Sequence, residues 1–178
     1  MKASPLIKTL LLNATLAAGQ QIRRLDAQPL YLTDKKAPKE VRLLKLGLNK
    51  TVYGPLYLTA EGMQSALALE KQMGRDLAFD WYHATEPGGP APQTPAAGFA
   101  SGWFSLAARP DGLYAVAPRY RNARLAAKGQ PPLDGIMWEP TAKSAIESEA
   151  IAHHSPAVIL QKINGQDQIV GVTSAALT

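Results

Sequence analysis

Apolar residues recur along this chain with two different periods, which predicts both helices and strands. Over residues 60–73 the apolar side chains repeat at helical spacing and form one stripe. Thr59 stands directly before this segment, where its hydroxyl can cap a helix, and Gly74 stands directly after it, where a left-handed residue ends one. The pattern therefore predicts an α-helix from residue 60 to residue 73.

The next segment alternates with the two-residue period of a β-strand. From residue 77 to residue 83 every second side chain faces the same way, so Phe79 and His83 are expected on one face. Asp80 is expected on the opposite face, pointing away from His83. This interpretation places a histidine where a strand gives way to a loop rich in proline and glycine at residues 86–95.

Turn signals divide the other apolar runs into further elements. An Asn-Gly pair at 164–165 and a Pro-Asp-Gly run at 110–112 are hairpin signals. A second helix is expected at 140–150, and the polar segment 118–135 is expected to form a loop. The remaining strands are predicted at 41–48, 98–107, 113–117, 151–163 and 168–177.

These elements predict one α+β domain that consists mainly of antiparallel β-strands. Strands and helices do not alternate strictly enough for a doubly wound sheet. Residues 1–40 have the weakest pattern and are expected to be a poorly defined N-terminal extension. The compact domain is expected to occupy residues 41–178, which is long enough to bury one core.

Composition excludes some classes of function. The chain has no cysteine, so disulfides and thiolate metal sites are excluded. The net charge is +5, but the basic residues occur in small groups, which favours a solvated basic surface over a nucleic-acid site. Lys8 and Asn13 interrupt the apolar run near the N-terminus, which favours a short amphipathic helix over a signal peptide. No stretch approaches the roughly 20 apolar residues of a membrane span.

The candidate chemistry involves one serine and few histidines. The histidines are His83, His153 and His154, and Ser155 lies in an apolar run directly before Pro156. A serine hydroxyl becomes a good nucleophile when a histidine within hydrogen-bond reach takes its proton. From the residues alone, the simpler interpretation is that Ser155 is a small residue of an edge strand and His83 a core residue. No His-x-x-x-His spacing is present, so neither a metal nor another cofactor is expected.

Several segments occur in the order and spacing of a known family. They are GRDLAFDWYHAT at 74–85, PAAG at 95–98, DGLYA at 111–115, Trp138, HSPAV at 154–158 and AALT at 175–178. This set resembles the Mu-like prophage I protein family, the capsid-maturation proteases of Mu-type tailed phages. The resemblance covers about residues 40–178, and it makes residues 41–178 a protease-like domain.

The resemblance implies a fold, an activity and a set of partners. The fold would be a small β-barrel flanked by helices, similar to other prohead proteases and to herpesvirus assemblin. His83 matches the family's histidine and Ser155 its serine nucleophile, so the chain would be a serine endopeptidase. Its substrates would be the phage scaffold protein, the major capsid protein and the protease itself. It would act in the host cytoplasm inside the immature capsid, as a homodimer if it follows the herpesvirus enzymes.

The third catalytic residue is less defined. Related phage proteases place an acidic residue on the strand after the nucleophile, and on that strand this chain offers only Asp167. A serine–histidine dyad without an acid is the alternative. His153 lies two residues before Ser155 and is expected on the same strand face, where it could orient His83 or line the cleft.

Three departures from the family pattern bear on the function. Glu139 follows Trp138 where the family has threonine, the segment 118–135 is longer than usual, and family members generally continue beyond the position of Thr178. The last departure, together with the undefined third catalytic residue, favours a second function: a non-catalytic scaffold or capsid-assembly protein that keeps the protease fold, from a truncated or degenerate prophage gene. A nucleic-acid-binding module, suggested by the charge of +5, is the third possibility.

Overall fold

The computed structural model describes residues 16–83 and 100–178. Within these residues the helices are α1 (Ala60–Met73), α2 (Arg119–Ala127) and α3 (Pro140–Glu147). The strands are β1 (Gln20–Arg24), β2 (Gln28–Pro29), β3 (Val41–Lys45), β4 (Gly47–Thr51), β5 (Gly54–Leu58), β6 (Leu77–Trp81), β7 (Gly102–Arg109), β8 (Gly112–Val116), β9 (Met137–Trp138), β10 (His153–Ile163) and β11 (Gln166–Leu177).

The strands form one mostly antiparallel sheet that curls into a half-barrel. The main path runs β1-β10-β11-β6-β7-β8-β3, and the β4–β5 hairpin joins β11 through β5. Only the pairings of β11 with β5 and with β6 are parallel among the described strands. The predicted α+β class with mainly antiparallel strands is confirmed. The strands β10 and β11 lie inside the sheet and are buried on both faces, which explains their continuous apolar sequence.

Helix α1 forms as predicted and covers β11. The Thr59 hydroxyl accepts a hydrogen bond from the Gly62 N–H at 3.0 Å, and Gly74 ends the helix in the left-handed conformation. Gly62 lets the helix approach the sheet closely, because a Cβ at this position would lie 2.3 Å from the Ile169 carbonyl oxygen. This close contact fixes β11, the strand between the nucleophile candidate and the histidine candidate.

The long hairpin of β10 and β11 also forms as predicted. Asn164 and Gly165 both have positive φ angles, 51° and 79°, which is the requirement of a type I′ turn. The pairing shifts register between Ala157 and Val158 and again between Ile159 and Leu160. Such bulges increase local twist, and here they accompany the curl of the sheet.

Residues 118–135 are not simply a loop, because helix α2 occupies Arg119–Ala127. Two of the first backbone N–H groups of this helix bond to a carboxylate outside it. The Asp76 side chain accepts from the N–H groups of Tyr120 and Arg121, both at 2.9 Å. Asp76 therefore caps the start of a helix that is distant from it in sequence, a contact that no local pattern indicates.

The compact domain begins before residue 41, earlier than the sequence predicted. Strand β1 pairs antiparallel with β10, and β2 pairs with the start of the same strand. Leu25 and Leu30 are buried members of the hydrophobic core. Residues 20–30 are thus part of the sheet and not a loose extension.

Two further predictions concern the segments between residues 86 and 107 and the absence of a membrane span. The predicted strand 98–107 is β7, which begins at Gly102, and the predicted loop 86–95 lies outside the described residues. No helix in the described part of the chain has the length and apolar character needed to cross a membrane.

Candidate active site

Ser155 lies in β10, between two neighbouring strands that hold it from both sides. It pairs with Ala176 of β11, and the preceding residue, His154, pairs with Gln28 of β2. The serine is only 5% exposed. Ser155 is therefore held in place by the strands on either side of β10, inside the sheet, and not by a surface loop.

His83 does not continue β6 as predicted, because the strand ends at Trp81. Tyr82 and His83 have φ angles of 52° and 60°, so two successive residues adopt the left-handed conformation and the chain turns sharply. Non-glycine residues pay a cost of order 1–2 kcal/mol each for this conformation. Strain of this kind persists only where surrounding contacts hold it, and it is common at functional sites.

The turn brings His83 to Ser155. The His83 Nε2 atom lies 2.8 Å from Ser155 Oγ, across 72 residues of sequence, and both side chains are buried. This is within the hydrogen-bond distance that a general base needs to take a proton from a nucleophile. The structure therefore brings together the two residues that the sequence analysis singled out.

Asp80 also belongs to this site, although the sequence analysis placed it on the face away from His83. Its side chain is fully buried, and Oδ1 accepts a hydrogen bond from the His83 backbone N–H at 3.1 Å. The two-residue alternation of side chains holds along β6 up to Trp81, but it does not continue through the left-handed turn at Tyr82 and His83. The Asp-x-x-His spacing was the available signal, since a carboxylate three residues back can bond the N–H of such a turn.

A row of paired residues connects Asp80 with Ser155. Ser155 pairs with Ala176, and Ala176 pairs with Asp80, so all three side chains project from the same face. Ser155 and Asp80 are then separated by two strand spacings, or about 10 Å. The small Ala176 side chain lies between them in this row.

The surroundings of His83 keep its imidazole neutral. Burial lowers the pKa of His83 below its usual value, the Asp80 charge acts in the opposite direction, and the Arg24 charge lowers the pKa further. Arg24 pairs with Ala157, two residues after Ser155, and so projects from the same face of the sheet. A neutral imidazole at pH 7 is the form that can act as a base.

The Ser155 hydroxyl has a second partner. Its Oγ lies 2.5 Å from the backbone carbonyl oxygen of Leu25, which follows β1. A carbonyl oxygen only accepts hydrogen bonds, so the single hydroxyl proton of Ser155 points to Leu25 in this arrangement. His83 Nε2 then carries a hydrogen and donates to Ser155. The other ring nitrogen, Nδ1, is buried and has no hydrogen-bond partner among the described residues.

The other two histidines lie outside the pair. His153 is exposed at the start of β10, and its backbone pairs with Thr178. His154 is 1% exposed and projects from the opposite face to Ser155. Burial lowers the pKa of His154 to about 4, with a smaller effect from the His153 charge.

Asp167 does not reach the pair, which corrects its predicted place as the third catalytic residue. It pairs with Lys162 beside the Asn164 turn, at the far end of the hairpin from Ser155. Seven residues of strand separate Ser155 from Lys162, a distance of about 23 Å. Asp167 is half-exposed, and Lys162 Nζ lies 4.0 Å from its carboxylate. The acid that contacts His83 is Asp80, on the strand before the histidine and not on the strand after the serine.

The site consists of side chains that supply a nucleophile and a base. Among the described residues, no group of three or more His, Cys, Asp or Glu side chains is arranged to hold a metal ion. What the arrangement can do chemically is transfer a proton between Ser155 and His83 inside a buried sheet. Comparison with family models, with curated proteins and with solved structures finds no match for this chain.

Proposed function

We propose that this chain is a serine endopeptidase of phage capsid maturation, related to the Mu-like prophage I proteins and adopting the small barrel of the prohead proteases. The observation that carries the proposal is the 2.8 Å contact between His83 Nε2 and Ser155 Oγ. Residues 72 positions apart meet at the distance of a base and its nucleophile, at the two positions that match the family motifs.

The chemistry would proceed in two stages. Ser155 Oγ forms a bond to the carbonyl carbon of a substrate peptide while His83 takes the hydroxyl proton at Nε2. His83 then returns this proton to the leaving amine as the peptide C–N bond breaks. In the second stage water attacks the acyl group on Ser155, again with His83 as base. The Asp80 charge favours the positively charged imidazolium that forms between these proton transfers.

The substrates would be virion proteins. Following the motif order, the scaffold protein and the major capsid protein of the same phage are the candidate substrates, together with the protease itself. The reaction would take place in the host cytoplasm, within the immature capsid. Extended peptide segments suit a site inside a sheet, since backbone pairing to a neighbouring strand needs few fixed side chains.

Cleavage of the cognate scaffold protein tests this proposal. We expect the parent protein to cut the scaffold, and Ser155→Ala to reduce cutting to background without loss of the folded state. The matched control is Ser101→Ala, because Ser101 is also buried and its hydroxyl has no partner among the described residues. Equal cutting by the parent and Ser155→Ala would overturn the proposal.

One observation favours a second candidate, a non-catalytic capsid-assembly protein with the same fold. Ser155 is hydrogen-bonded to the Leu25 carbonyl, and His83 Nδ1 has no partner among the described residues that would hold the catalytic tautomer. A chain that binds the capsid protein, cuts nothing and leaves a serine-reactive probe unbound would support this candidate.

A further inference from the structure

A segment near the N-terminal end of the described chain lies directly against Ser155. Residues 20–29, here called the N-terminal strap, run along β10 as β1 and β2. Between these two strands, the Leu25 N–H donates to the Pro156 carbonyl at 2.9 Å, and the Leu25 carbonyl accepts from Ser155 Oγ at 2.5 Å. The strap therefore places one of its own peptide carbonyls directly at the nucleophile.

The Leu25 backbone lies beside β10 next to Ser155, but the geometry at its carbonyl is not reactive. In a productive complex the nucleophile attacks the carbonyl carbon, and the carbonyl oxygen lies among hydrogen-bond donors elsewhere. Here the Leu25 oxygen itself receives the serine proton. His83 then carries a hydrogen at Nε2, so this nitrogen cannot accept the Ser155 hydroxyl proton, which a general base must take from the nucleophile.

The strap is attached on both sides. On its inner side Leu25 is buried in the core, and Leu30, the residue directly after the strap, is buried there as well. On its outer side the Asp26 carboxylate accepts from the Val52 N–H at 3.1 Å, and the Arg23 guanidinium lies 5.5 Å from the centre of the Tyr53 ring. The outer contacts are exposed and can be removed without opening the core.

We propose that the N-terminal strap is an internal pseudosubstrate that holds the site in a latent state, and that an extended substrate segment takes its place beside β10. The proposal rests on the proposed function and adds its substrate-binding mode. When the strap leaves, the Ser155 hydroxyl turns to His83 Nε2, and the imidazole proton moves to Nδ1, where the Asp80 charge favours it. The substrate then pairs with the β10 backbone edge that the strap occupies now.

The strap also indicates which residue precedes the cleaved bond. The Leu25 side chain lies in the hydrophobic core, with 5% of its surface exposed. A substrate segment that replaces the strap beside β10 would place the side chain of the residue at the Leu25 position in the same apolar surroundings. An aliphatic residue is therefore favoured there, and a charged residue is disfavoured because its burial is costly.

Disulfide staples that lock the strap test this proposal, since the chain has no cysteine of its own. Gln20 pairs with Gln161 at one end of the strap, and Pro29 pairs with His153 at the other. A variant with cysteine at these four positions is oxidised and then reduced. The matched control carries one staple in the β4–β5 hairpin, at the paired positions Leu48 and Tyr57.

The readout is the rate at which peptidyl diphenyl phosphonates label Ser155. One probe carries a leucine analogue at the reacting position and the other a lysine analogue. We expect the oxidised strap variant to react about tenfold or more slowly than its reduced form, because the competent state is then rarely populated. The hairpin control is expected to react equally in both states, and the leucine probe is expected to react faster than the lysine probe.

Any other result of the labelling experiment would overturn a specific part of the proposal. Equal rates for the oxidised and reduced strap variant would overturn the pseudosubstrate, while labelling itself would leave the proposed function intact. Faster reaction of the lysine probe would overturn the aliphatic preference. If neither probe labels the folded parent or the reduced variants, the proposed function fails, and the strap proposal fails with it. Asp26→Ala, which removes an outer contact of the strap, is expected to speed labelling, and slower labelling by this variant would count against the proposal.

Discussion

The Asp80 carboxylate accepts a hydrogen bond from the backbone N–H of His83 at 3.1 Å, and this contact holds the turn that aims the imidazole at Ser155. Asp80→Asn keeps an acceptor oxygen but removes the charge. Because the Asp80 charge raises the pKa of His83, we expect Asp80→Asn to lower that pKa and to move the acid limb of the pH–rate profile to lower pH. The rate of cleavage as a function of pH measures this shift, and an unchanged or higher acid limb would contradict it.

Asp80→Ala removes the acceptor as well as the charge. The buried His83 N–H then loses its partner, which costs about 1–3 kcal/mol. We expect the free energy of unfolding, measured in urea, to fall by this amount relative to Asp80→Asn. Equal stability of the two variants would mean that the hydrogen bond does not hold the turn.

Ala176 lies between Ser155 and Asp80 in the row of paired residues, and His83 contacts both of these neighbours, so a large side chain at position 176 would project towards the imidazole. We expect Ala176→Leu to displace the ring and to abolish labelling of Ser155, with a packing cost of about 1–3 kcal/mol. Ala176→Ser is the matched small replacement and is expected to retain labelling. A folded Ala176→Leu protein that is labelled like the parent would show that a large side chain at this position does not displace the ring.

His154 makes stability depend on pH. Its folded pKa, about 4, lies below the value of 6.5 expected in the unfolded chain. The unfolded state therefore binds more protons as the pH falls from 6.5 towards 4, and the folded state loses about 3 kcal/mol over this window. Above pH 6.5 this contribution is fully present. We expect His154→Leu to remove most of this slope in urea unfolding measured at pH 7 and pH 4.5, and an unchanged slope would contradict the assignment.

Asp167 is expected to have no part in catalysis. Its half-exposed carboxylate forms an ion pair with Lys162 at 4.0 Å, and exposed pairs of this kind contribute about 0–1 kcal/mol. We therefore expect Asp167→Asn to cleave the scaffold at the parent rate across the pH range. A loss of more than about tenfold, equivalent to 1.4 kcal/mol, would show that the far end of the hairpin acts on the site.

Local signals in the sequence were sufficient for part of the fold. Thr59 and Gly74 stand at the ends of α1, and the Asn-Gly pair at 164–165 forms the predicted hairpin turn. In each case the residues that determine the conformation are adjacent to it. Helix α2 was missed because its cap, Asp76, comes from a distant part of the chain.

The candidate site was predictable in its two reacting residues but not in their supports. Motif order indicates His83 and Ser155. Strand alternation continued through Tyr82 and His83 places Asp80 on the face away from His83, but these two residues adopt the left-handed conformation and the alternation ends before them. The contact of Leu25 with Ser155 depends on the pairing of β1 with β10, and a short strand with an alternating half-buried pattern carries a weak signal for its partner. The residues that support the site are thus positioned by long-range strand pairing and by a backbone turn, which local sequence patterns do not indicate.

Phosphonylation of the serine shows directly whether His83 activates Ser155. The parent protein and His83→Gln are treated with a fluorophosphonate, and the modified residue is identified by peptide mass spectrometry. We expect an adduct on Ser155 in the parent and its loss in folded His83→Gln, which keeps the serine but lacks the base. An adduct on Ser155 at the same rate in both proteins, or an adduct on another serine in the parent, would mean that His83 does not activate Ser155.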